Sequence, residues 1–140
     1  MSQSDHDNSW VIHHSTMFEP LLLADPTFRE RWERLLREHK PEEEALTYLV
    51  VGEFACHLIW CLEAGDTSRF TAVFQVLKDW HTQGGQYLKE AAIVGLLEDL
   101  QNENLHNTTK PDDFLPWMHP ETVTWWHKVR DFWEKGTPLV

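Results

Sequence analysis

Apolar positions recur along this chain at intervals of three and four, the spacing of one buried face of an α-helix, and strand signals are absent. The pattern predicts about six helices. A first one covers Ser15 to Ala24. The second opens at Asp25-Pro26, a capping residue followed by proline at the first helical position, where the missing N–H costs nothing. Phe28, Trp32, Leu35 and Leu36 form its inner stripe, and Lys40-Pro41 ends it. A third helix is expected from Glu43 to Ala64, with Gly65 as its stop and Glu42, Glu43 and Glu44 at its favourable N-terminal end. Leu46 to Leu62 is apolar on most sides, so this helix is expected to be central and the most buried.

Asp66 or Ser68 is expected to cap a fourth helix with Phe70, Val73, Phe74, Leu77 and Trp80 inward. Gly84-Gly85 breaks the chain. A fifth helix runs from Gln86 to about Glu103 and buries Leu88, Ala91, Ala92, Leu96 and Leu100. Residues 102–113 read as a loop, followed by a short turn holding Phe114 and Leu115. The last helix starts at His119-Pro120-Glu121 and stops at Gly136, with Val123, Trp126, Val129 or Arg130, and Trp133 along one side. These elements imply an all-α fold, an antiparallel helical array. Val51-Gly52 and Val94-Gly95 recur 43 residues apart, the period of two-helix repeats, which suggests repeat-like (HEAT-like) pairing. Residues 1–14 read as a flexible N-terminal arm and 15–140 as a single all-helical domain.

Composition narrows the partners. With 12 basic and 23 acidic side chains, the net charge of −11 argues against nucleic acid, whose phosphates need a basic patch. No uninterrupted apolar run approaches the roughly 18–20 residues of a membrane span. The polar, acidic start, Met1 to Asn8, lacks the features of a signal peptide. Cys56 and Cys61 lie five apart on one helix, about 7.5 Å of axial rise, beyond the roughly 7 Å Cα separation that a disulfide allows. Two reduced thiols point to a cytoplasmic protein.

The chemistry inventory is short. There is no phosphate-binding glycine loop, no paired CxxC and no HExxH. His119 and His127 could share a helix face, but no third ligand has matching spacing, so no metal or cofactor is expected. Glu53, His57 and Trp60 fall on one strip of the third helix. Glu53 could orient His57 as an acid–base pair, or the strip could line a concave binding face. Glu98, Asp99 and Glu103 sit at the C-terminal half of the fifth helix, where negative charge opposes the helix dipole and gains from a basic partner. Trp32, Trp80 and Trp133 fall on apolar stripes and are expected in the core. At least one of Trp60, Trp117 and Trp125 is expected to be partly exposed.

Several segments carry a resemblance: Pro26-Thr27-Phe28 with Trp32; Tyr48-Leu49-Val50-Val51-Gly52-Glu53-Phe54-Ala55; Gly65-Asp66-Thr67; Ala72-Val73-Phe74; Gly95-Leu96-Leu97-Glu98-Asp99-Leu100-Gln101-Asn102; and Trp125-Trp126 with Phe132-Trp133. Across residues 17–134 the chain resembles a bacterial domain family of unknown function made of small, acidic, all-helical proteins. By size and acidity such proteins resemble immunity proteins, which bind and block a toxin of the same cell.

The expectation is therefore a non-enzymatic binding protein with a basic protein partner, a cognate toxin domain, and no nucleic acid or membrane. It is expected to act as a monomer or homodimer. The binding face would comprise Glu53, His57, Trp60, Glu98, Asp99 and Asn102, if the third and fifth helices lie side by side. Charge supports this choice: residues 45–105 hold eight acids against three bases. The alternatives are a small enzyme built on the Glu53–His57 pair, or a helical adaptor or homodimeric scaffold.

Overall fold

The computed structural model describes residues 9–39 and 45–136, and all regular secondary structure within them is helical. Helix α1 covers Ser9–Ala24, α2 Arg29–Glu38, α3 Ala45–Glu63, α4 Phe70–Gln83 and α6 Pro120–Lys135. Between α4 and α6, helix α5 spans 85–100, with α-helical ends and a π-helical middle, Ala91–Leu97. Three 3₁₀ turns, Pro26–Phe28, Glu103–Leu105 and Pro111–Trp117, fill the connections, and the last holds Phe114 and Leu115 as expected.

The capping chemistry explains most boundaries. Asp25 accepts the Thr27 N–H at 3.1 Å, and Pro26 follows it, so the chain enters the turn ahead of α2 as its sequence dictates. Helix α3 stops just before Gly65 and α6 just before Gly136. Three boundaries differ from expectation. Helix α1 begins at Ser9, inside the arm expected over 1–14, because no proline or glycine interrupts the chain between Ser9 and Pro20. Neither Asp66 nor Ser68 caps α4; Asp66 instead holds Arg69 at 2.7 Å, and α4 starts at Phe70. Helix α5 ends at Leu100, and Asn102 has extended backbone. The expected N-terminal charges Glu42 to Glu44, the stop at Lys40-Pro41, and residues 1–8 lie outside the described residues.

Helix α5 is the hub. Its π segment packs against α3, α4 and α6, while α1 packs against α4. As expected, α3 has the largest buried share of the described helices: Val50, Phe54 and Leu58 are fully buried, although Tyr48, Leu49 and Trp60 remain exposed. Leu46–Glu63 also satisfies the length and mean hydropathy (1.3) of a membrane span, because scattered polar residues do not lower the average enough; 56% of it is buried against the other helices.

Helices α3 and α5 approach closely. A Cβ on Gly95 would lie 3.0 Å from Val51 Cγ1 and 3.5 Å from the Tyr48 ring. Val51 of one Val-Gly dipeptide therefore meets Gly95 of the other across this helix pair. A Gly95→Leu substitution should overpack this crossing and lower stability by about 1–3 kcal/mol, read as a reduced urea midpoint at unchanged m-value.

Candidate functional site

The crossing positions the acidic residues. Gly52 on α3 leaves room for the Asp99 carboxylate, whose Oδ2 would lie 3.4 Å from a Cβ there. The third and fifth helices thus lie side by side, as the sequence reading required. Glu98 and Asp99 are partly buried, and neither meets a cation at ion-pair distance among the described residues. Burial raises the Asp99 carboxyl pKa above its ordinary value. Burial, and then the Asp99 charge, does the same to Glu98. Glu53 is partly buried on α3, where its backbone carbonyl accepts a hydrogen bond from Arg31 at 3.4 Å. Trp60 is 66% exposed.

Two open cavities adjoin these groups. One, of about 430 Å³, is lined by Glu98, Asp99, Gln101, Asn102, Glu103 and Trp133. The other, of about 640 Å³, shares Gln101, Glu103 and Trp133 and continues to Asp112 and Arg130. Gln101 donates to the Trp126 carbonyl at 2.7 Å, tying α5 to α6. Asp112 accepts the Trp126 Nε1–H at 2.9 Å and pairs with Arg130, so that carboxylate is neutralised while Glu98 and Asp99 are not. The Asn102 side chain is occupied locally, accepting the Asn104 N–H at 3.0 Å.

Two assignments change. Trp133, expected in the core, is 61% exposed and forms the wall common to both cavities. Its neighbour Phe132 is exposed as well, and the two rings pack edge to face on each other at 5.7 Å. His57, expected on the binding strip, is only 8% exposed. It lies some 40–60° around α3 from Glu53 and Trp60, by helical geometry, and turns toward the 25–28 turn. Its Nε2 is 3.0 Å from both Asp25 Oδ2 and Thr27 Oγ1, so the expected Glu53–His57 pair does not form.

Asp25 is the centre of this second, buried cluster. Burial pushes its pKa up, but hydrogen bonds from His57 and Thr27, with the charges of His57 and Arg69, outweigh burial and hold it at about 2. Arg69 Nε faces Asp25 Oδ1 at 2.9 Å as an ion pair without an aligned hydrogen bond. Cys61 Sγ lies 3.7 Å from His57 Nε2 and 3.9 Å from Arg69 Nη2. Asp25, His57 and Cys61 are the one set of three potential metal donors within mutual reach among the described residues. Asp25 is 32 residues from His57, so no local spacing revealed it. Both cysteines are free, as expected.

The Pro26-Thr27-Phe28 turn, the Gly95–Asn102 stretch and the α6 aromatics now have places in one structure, and all lie within residues 18–134, which a family model matches. The chain belongs to DUF7674, a domain of unknown function. None of the curated proteins and none of the solved structures compared with it matches the chain. For this DUF7674 domain the exposed acidic groove and the buried Asp25 cluster are thus read from their geometry.

The uncompensated Asp99 has a measurable consequence. Because its native pKa is raised, the folded state binds more protons than the unfolded state as pH rises through the carboxylate range. The destabilisation is absent well below pH 3.8 and complete above the native pKa. Asp99→Asn should therefore raise Tm at pH 7, and the gain should vanish as pH falls below the carboxylate range; thermal melts at both ends check it.

Proposed function

We propose that this protein is a non-enzymatic acidic binding protein, an immunity protein of the bacterial cytoplasm that neutralises a cognate toxin by occluding its active site. The observation that carries this reading is the pair of partly buried, unneutralised carboxylates, Glu98 and Asp99, in a groove walled by an exposed tryptophan. A partly desolvated carboxylate with no cation destabilises the free protein, and a basic partner removes that penalty on binding. The long-range field of a chain with net charge −11 would speed encounter with a basic cleft. Exposed Trp60 and Trp133 are the side chains suited to anchor the contact, since large aromatics dominate interface energetics.

The proposed face centres on the groove residues Glu98, Asp99 and Asn102, with Trp133 added and His57 removed, and extends along α3 to Glu53 and Trp60. The test is co-expression with the product of the adjacent reading frame, scored for protection and for a co-purifying complex. The double variant Glu98→Lys/Asp99→Lys should slow association about tenfold or more and abolish its salt dependence. Trp133→Ala should speed dissociation about tenfold. Absence of both protection and complex with the unaltered protein would overturn the proposal.

A further inference from the structure

Asp25, His57 and Cys61 each direct one donor atom toward a common point: a carboxylate oxygen, an imidazole nitrogen and a sulfur, all within 4.8 Å of one another. All three residues are buried. His57 and Cys61 stand four apart on α3, where successive-turn side chains can grip one ion, and the cap geometry of the 25–28 turn delivers Asp25 to the same point. We propose that this cluster is a structural zinc site, with Asp25 Oδ2, His57 Nε2 and Cys61 Sγ as ligands and the fourth position left to a water or the Thr27 hydroxyl.

Donor chemistry selects the ion. Mixed oxygen, nitrogen and sulfur ligands suit Zn²⁺, whereas magnesium and calcium take oxygen sets and copper(I) favours sulfur. Tetrahedral zinc with bonds of about 2.0–2.3 Å places neighbouring ligands about 3.3–3.8 Å apart. The separations of His57 Nε2 from Asp25 Oδ2, 3.0 Å, and from Cys61 Sγ, 3.7 Å, require adjustments of only a few tenths of an ångström, and the Asp25–Cys61 separation, within 4.8 Å, closes by up to about an ångström on binding.

The surrounding charges accommodate a dication. Arg69 contacts the other oxygen of Asp25 and approaches Cys61, while Asp66 holds Arg69 from outside. With zinc, two carboxylates and one thiolate face a dication and one guanidinium, and the cluster is neutral. Arg69 then serves as an outer partner that orients the carboxylate and the thiolate. Zn²⁺ displaces the Cys61 thiol proton, and any proton on His57 Nε2, to solvent, and the ligated His57 keeps its proton on Nδ1. No group changes oxidation state. The ion would staple the 25–28 turn to α3 at the point where α4 begins.

The experiment uses the full chain, stripped with a chelator and titrated with Co²⁺ and Zn²⁺. The expected results are one Co²⁺ per chain with a thiolate-to-metal charge-transfer band, its displacement by Zn²⁺, and a Tm raised by Zn²⁺. Cys61→Ala should remove the band and weaken zinc binding on the order of 100-fold or more, since even outer partners contribute 10–100-fold. His57→Gln should weaken binding similarly, while Cys56→Ser should leave both unchanged. The proposal is overturned if the unaltered protein gives no charge-transfer band, if the band follows Cys56 rather than Cys61, or if zinc leaves Tm unchanged. The first two of these readouts come from the unaltered protein and the exposed Cys56, so they stand even if a core variant fails to fold.

Discussion

The close crossing of α3 and α5 is the constraint on which the rest of the structure depends. At Gly95 a Cβ would press on the Val51 methyl at 3.0 Å and touch the Tyr48 ring, and at Gly52 it would meet the Asp99 carboxylate at 3.4 Å. Close packing leaves little slack at Gly95. Small residues also dominate the π segment, where Ala91, Ala92 and Gly95 allow α3, α4 and α6 to converge on one stretch of α5. The i→i+5 pairing of that segment rotates everything after it relative to an uninterrupted α-helix. Glu98 and Asp99 come directly after it, so their placement in the groove follows from the backbone that the crossing permits.

The carboxylates divide into two populations with opposite electrostatics. Asp25 is buried but surrounded by Thr27, His57 and Arg69, and its pKa falls to about 2. Glu63 accepts the Asn107 N–H, the Thr109 hydroxyl and the Thr108 N–H, which fasten the 107–109 loop to the end of α3 and lower its pKa. These acids hold the fold together. Glu98 and Asp99 receive no such compensation, and their pKa values rise. The same residue type thus secures one end of the molecule and strains another, and the difference lies in whether donors converge on it.

The aromatic residues show the same division between local and distant causes. Phe70, Phe74 and Phe114 form a buried cluster with ring centroids 5.6–6.2 Å apart, two of them from the inner stripe of one helix. Trp126 is fully buried and has a polar partner for its N–H. Trp133 continues the same stripe two turns later, yet it is 61% exposed, since none of the described elements covers it. Periodicity reports which face a residue occupies. It does not report where the neighbouring helix ends.

What the sequence alone determined was therefore everything governed by contacts within a few residues: the helical class, the Asp25-Pro26 cap, the stops before Gly65 and Gly136, and the apolar faces of α4 and α6. It also indicated, through charge density, that the third and fifth helices carry the acidic face. The tertiary structure decided the rest. It removed His57 from that face by giving it Asp25 and Thr27 as partners, brought Trp133 out, and assembled Asp25, His57 and Cys61 from segments far apart in the chain. Caps and periodicities depend on the fixed geometry of a single helix, whereas burial and clustering depend on which helices meet, at what angle, and with what room between them.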